Sequence, residues 1–178
     1  MIKPNLFLVE RNNKDKKKFK IIHPFDGRVT PLYPERLAAV SRQLASLLDI
    51  AHTDYIVGFA EGGLLPAYGV SSATNLPMVG SYRVRLKLPY EITFQEPHSE
   101  RSTHYIYGLR EGNRVVIVED ETTTGSTILN AIKAFHQNGI NVIDIGTFIM
   151  AVKESPHLKE VRELGYDIKY LYNQNDFE

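Results

Sequence analysis

The sequence predicts an α/β domain, a doubly wound parallel sheet of about five strands flanked by helices. Apolar runs such as YIVGFA, RVVIVE and NVIDIGTFIMAV are continuous rather than alternating, the pattern of strands buried on both faces. Between them lie segments whose apolar residues recur at helical spacing, and glycine or proline marks the joins. At 178 residues the chain has the length of a single domain.

Taken in order, residues 1–33 carry no readable motif. Their Lys14 to Lys20 run (KDKKKFK) is expected to be a solvated loop rather than a lipid or nucleic-acid patch. Pro34 opens a helix in which Leu37, Val40, Leu44, Leu47 and Leu48 form one apolar face. Residues 54–60 form a strand, followed by a Gly62-Gly63 break and a helix entered through Pro66. Residues 78–84 form the next strand. Arg85 to Gly108 has little periodicity and two prolines, and is expected to be a long functional excursion with some strand in HYIYG. Residues 114–119 are again a strand. The helix after it buries Ile128, Ala131, Ile132 and Phe135 and stops at Gly139. A strand from 141, a short helix capped by Ser155 with Pro156 at its first position, and a last strand DIKYLY complete the chain.

Composition narrows the function. Lys and Arg total 21 and so do Asp and Glu, whereas a surface that tracks a nucleic-acid backbone needs a clear positive excess, so no nucleic-acid partner is expected. Cysteine is absent, which excludes a thiolate nucleophile, a disulfide scaffold and a zinc-thiolate site. No apolar run approaches membrane-spanning length, and the opening run is too short for a signal core, so a cytoplasmic protein without membrane contact is expected.

The most informative stretch is VVIVEDETTTGST, residues 115–127. A buried strand delivers two adjacent carboxylates, Glu119 and Asp120, to an expected exposed tip. Thr123, Thr124, Gly125, Ser126 and Thr127 then enter a helix, offering backbone N–H groups and hydroxyls that bind a phosphate without lysine. The carboxylates suit sugar hydroxyls, a metal or a developing cation, so the pair of features calls for a phosphorylated sugar. A helix cap alone would explain the threonines, but it leaves the repulsion between the neighbouring acids uncompensated. There is no GxxxxGK[ST], and Gly58, Gly62 and Gly63 do not make a dinucleotide fingerprint.

This stretch resembles the phosphoribosyl-pyrophosphate (PRPP) motif of type I phosphoribosyltransferases: four apolar residues, two acids, three variable positions and Thr-Gly-x-Thr. The resemblance extends over about residues 54–139. VGFAEGG stands where the family has its pyrophosphate loop, and SYRVRLKLP is similar to the basic segment leading into the flexible catalytic loop of adenine phosphoribosyltransferases; orotate phosphoribosyltransferases are similar as well. GFAE, EPHSERSTHYIYG and VEDETTTG together look like a bacterial branch encoded with tellurite-resistance genes. Glu121 and Glu61 depart from the wider family, which places an apolar residue and often a basic one there.

The resemblance implies a fold, a reaction and a set of roles. Glu119 and Asp120 would hold the ribose hydroxyls and act in catalysis, and residues 123–127 would cradle the 5′-phosphate. Ala60, Glu61, Gly62, Gly63, Arg83, Arg85 and Lys87 would face the pyrophosphate, although the three basic residues also read as alternate charges on a strand edge. Mg²⁺ would arrive mainly with the substrate, touching Glu119 and Asp120. His98 and His104, in the 85–108 loop, could donate to the ligand or be inert. Tyr105, Tyr107, Tyr170 and Tyr172 fit strands better than a base-stacking role. The implied reaction is transfer of ribose 5-phosphate from PRPP to a purine or orotate-like base in a homodimer, with residues 1–33 contributing a hood. A PRPP-binding regulator and an enzyme of nucleotide phosphorolysis are the alternatives.

Overall fold

The computed structural model describes residues 7–10, 19–27, 31–97, 102–173 and 176. Two strands, β1 (Phe7–Glu10) and β2 (Phe19–Ile22), pair antiparallel as a separate two-stranded sheet. The core follows as α1 (Pro34–Ala45), β3 (Tyr55–Gly58), α2 (Leu64–Thr74), β4 (Met78–Tyr82), β5 (Ile92–Gln95), β6 (Thr103–Ile106), β7 (Arg114–Thr122), α3 (Ser126–Gln137), β8 (Asn141–Met150), α4 (Pro156–Glu163) and β9 (Lys169–Asn173). The main sheet has seven strands in the order β5-β6-β4-β3-β7-β8-β9.

The five strands β4, β3, β7, β8 and β9 are parallel, as the buried Val/Ile runs predict. Along β7, Val115 and Ile117 join a core under α3 and α4 with Ile128, Ile132 and Leu158. Val116 and Val118 join the opposite core, with Leu37, Val40 and Leu44 of α1 and Val70 of α2. Period-two alternation thus feeds two apolar layers, which is why these strands show no polar face. Leu47 is an exception to the predicted helical face: α1 ends at Ala45, and Leu47 lies beyond it, 45% exposed.

Two further corrections concern the region after β4. The excursion from Arg85 to Gly108 holds the strand expected in HYIYG, β6, which adds to the sheet through β4, but it also holds an unexpected strand, β5, paired antiparallel with β6. The strand carrying the acidic pair also runs on to Thr122, since Glu119, Glu121 and Thr122 pair with Thr147, Ile149 and Met150 of β8. Glu119 and Asp120 therefore sit inside the strand rather than on an exposed tip. Of the lysine run, only Phe19 and Lys20 fall within the described residues, at the start of β2. No helix among the described residues is long and apolar enough to cross a membrane.

Candidate active site

In the parallel part of the sheet, the sequence order reverses between β3 and β7, and in doubly wound sheets ligands bind in the crevice beyond the strand ends at such a switch point. Here the loop after β3 and the acidic pair of β7 meet directly. A Cβ added at Gly62 would collide with the Asp120 carboxylate, and one at Gly63 with Glu119 Oε1. Phe59 N–H donates to the same Glu119 oxygen at 3.1 Å. Glycines at 62 and 63 are therefore what permits the loop to lie against two carboxylates.

Asp120 is buried at 7% exposure, and its nearest basic neighbour comes from the segment after β2. Phe25 N–H donates to His23 Nδ1 at 3.3 Å, which leaves Nε2 as the ring's donor, 3.5 Å from Asp120 Oδ2. His23 is 3% exposed, fixed beside Phe25, which stacks on Tyr172 at 5.8 Å. Nothing in the sequence around His23 marks it, because its partner is on a distant strand. Burial, and then the Asp120 charge, push the Glu119 carboxyl well above the ordinary carboxylate range.

The threonine loop has the predicted form. Gly125 caps α3 with φ 75°, in the left-handed region that favours glycine. Thr124 Oγ1 lies 3.0 Å from Ser126 Oγ, and Leu129 N–H closes the first helical bond on Gly125 C=O at 2.9 Å. The N–H groups of that first turn have no acceptor within the helix, so they present a partial positive charge at the crevice. Helix α4 braces the loop from behind: the Ser155 hydroxyl donates to Thr124 C=O at 2.5 Å and accepts from Leu158 N–H at 3.0 Å. Ser155 was expected to cap α4, and it also ties that cap to the threonine loop.

The basic segment divides. Arg83 is mostly buried, with its Nε donating to Ala60 C=O at 3.0 Å and its guanidinium paired with Glu96. Arg85 is exposed and bonds Glu91 at 2.7 Å, and Lys87 is exposed at φ 55°. Glu61 is exposed in the loop. His98 lies outside the described residues. The placement of His104 in an exposed loop is corrected: it sits on β6 at 1% exposure, stacked on Phe94 at 4.7 Å, and its two ring nitrogens face Ser81 Oγ at 2.7 Å and Glu96 Oε2 at 3.3 Å. It cannot reach a ligand. Tyr105, Tyr170 and Tyr172 belong to strands as expected, and Tyr107, just past β6, donates to Glu91 at 2.9 Å.

These contacts predict an acid-labile fold. Burial holds His104 below its ordinary 6.5, so the unfolded chain takes up that proton first and stability is lost as pH falls below 6.5. Burial alone would raise Glu96, but hydrogen bonds from His104 and Arg83 prevail and hold it at about 2, so its contribution is present above 4.5 and lost between there and about 2. Melting temperature against pH should fall along both limbs, and His104→Phe should flatten the upper one. An unchanged slope in that variant would contradict the assignment.

Comparison with known proteins agrees with this geometry. A family model described as Phosphoribosyl transferase matches residues 6–168. A hypoxanthine/guanine phosphoribosyltransferase of Methanocella paludicola is 30% identical over 151 residues, covering 84% of this chain and 77% of that protein. An adenine phosphoribosyltransferase from Leishmania tarentolae shares the fold, with a TM-score of 0.76 at 16% identity over 99% of this chain and 87% of its own. An orotate phosphoribosyltransferase from Mycobacterium tuberculosis, solved with PRPP, does so with a TM-score of 0.58 at 20% identity over 83% and 78%. With the family model spanning nearly the whole chain and the acidic strand, glycine loop and threonine loop meeting at the switch point, the chain belongs to the type I phosphoribosyltransferase family.

Proposed function

We propose that the protein transfers ribose 5-phosphate from PRPP to a nucleobase and releases pyrophosphate. The observation that carries this reading is the meeting of Gly62 and Gly63 with Asp120 and Glu119, beside a helix N-terminus suited to a phosphate. One crevice thereby offers acids for a sugar and N–H groups for the anions on either side of it. Relatives named hypoxanthine/guanine phosphoribosyltransferase favour a purine acceptor and a place in purine salvage.

Departure of pyrophosphate leaves positive charge on the sugar, so a site for this reaction needs a fixed anion near the sugar and donors near the leaving group. Asp120 and Glu119 supply the first. Arg85, Lys87 and the N–H groups of Glu61 and Gly62 would supply the second, with Arg83, held by Glu96 and Ala60 C=O, beside them, and Thr123 to Thr127 would anchor the 5′-phosphate.

The donor chemistry fits Mg²⁺ carried in on the phosphates. Among the described residues no three His, Asp or Glu side chains converge as a metal cage, while two carboxylates stand where such a complex would dock. Glu119 and Asp120 would hold it, and the ion would offset the charge of the leaving pyrophosphate. A homodimer in the cytoplasm completes the proposal. Tyr82, Val84, Leu86, Leu88 and Tyr90 are each about half exposed or more along one segment, an apolar stripe that a second copy would cover.

Incubation with PRPP, Mg²⁺ and a panel of purine and pyrimidine bases tests the reading. A nucleoside monophosphate is expected from at least one purine. PRPP binding without product would favour a regulator, and cleavage of nucleoside monophosphates by inorganic phosphate alone would favour phosphorolysis.

A further inference from the structure

Ala60, the second residue after β3, is held at both ends of its own backbone. Its N–H donates to Ser81 Oγ at 2.8 Å and its C=O accepts from Arg83 Nε at 3.0 Å. The two attachments are joined behind it. Ser81 Oγ lies 2.7 Å from His104 Nδ1, His104 Nε2 lies 3.3 Å from Glu96 Oε2, and that same oxygen pairs with the Arg83 guanidinium. The contacts form a closed ring of five residues drawn from the ends of β3, β4 and β5 and from β6.

Proton counting gives the ring one direction. The Ser81 hydroxyl accepts from Ala60 N–H, so its own proton is available for His104 Nδ1, and His104 Nε2–H then donates to the carboxylate. The opposite tautomer would set a lone pair against Glu96. Burial of Ser81 at 2% and His104 at 1% denies water as a replacement partner, so loss of one member leaves another unsatisfied.

We propose that Ser81, His104 and Glu96 are positioning residues, which fix the Ala60 peptide and Arg83 and so set the affinity of the 60–63 loop for the pyrophosphate half of PRPP. This rests on the transferase reading of the site. The residues that follow Ala60 in the loop are Glu61, Gly62 and Gly63, whose glycines already touch the acidic pair. A shift at Ala60 would therefore move the leaving-group donors and leave residues 123–127 and the base side of the crevice in place. The ring also fastens both strands of the hairpin to that loop, through Glu96 after β5 and His104 on β6.

Steady-state kinetics on Ser81→Ala, Glu96→Gln, His104→Phe and His104→Gln test it, with PRPP and base varied separately. The KM for PRPP should rise by about tenfold in Ser81→Ala and Glu96→Gln, the effect of one lost buried hydrogen bond or charge pair, while the KM for base stays within about twofold. His104→Gln keeps an N–H donor toward Glu96 and should recover part of what His104→Phe loses. Ser81→Ala removes one hydroxyl, so it carries the test if the histidine variants fail to fold. A wild type that saturates with PRPP alongside variants of unchanged KM would overturn the ring alone, as would an equal rise in both KM values. A wild type that never saturates with PRPP would overturn the transferase reading and this inference together.

Discussion

Asp120→Asn is expected to lower turnover by on the order of 10²-fold or more while the protein still folds. The substitution keeps the side-chain shape that packs against Gly62, and Asn can still accept from His23 Nε2. What it removes is charge. Asp120 lies against Gly62 and Glu119 against Gly63, so both carboxylates face the loop after β3. A developing sugar cation in that crevice meets the Asp120 carboxylate, and an interaction that grows only as charge develops appears in kcat rather than in substrate binding. Circular dichroism and melting check the fold of the variant, and unchanged turnover in Asp120→Asn would contradict the role.

Gly125→Val is expected to abolish the thermal stabilisation that PRPP gives the wild type. At φ 75° a β-branched residue is strained by about 1–2 kcal/mol before any contact is considered. A Cβ there would also stand 2.6 Å from Leu158 Cδ2 and 3.0 Å from its Cγ, so the buried Leu158 side chain must be displaced or the loop must draw away from α4. The latter shift breaks the Ser155 bond to Thr124 C=O and misdirects the first N–H groups of α3. The free protein should melt lower as well, by about 2–4 °C for each kcal/mol lost. A PRPP-induced shift that persists in this variant would place the phosphate elsewhere.

The legible parts of the molecule are those encoded in contiguous residues. VVIV reads as a buried strand because each residue faces one of two apolar layers, and TTGST reads as a helix entry because threonines, glycine and serine follow one another. The β5 strand, ITFQ, is built of strand formers but is only four residues long and lies in a polar stretch with two prolines, and its pairing with β6 is what makes it visible. The carboxylates lie within β7 because the ladder to β8 outweighs the weak strand propensity of Glu and Asp. His23, Ser81 and Glu96 were missed because each gains meaning only from a partner on another element. His104 was read as an exposed loop residue although some strand was expected in HYIYG, and pairing of that strand with β4 and β5 is what buries it.

The central claim is that one crevice joins a phosphorylated sugar to a base. Its most direct measurement is the stoichiometry of products when the wild type turns over PRPP, Mg²⁺ and a purine base. Pyrophosphate and nucleoside monophosphate should form in equal amounts, with neither formed when the base is left out. Pyrophosphate release that proceeds at the same rate without any base, or tight PRPP binding with no release from any base, would contradict it.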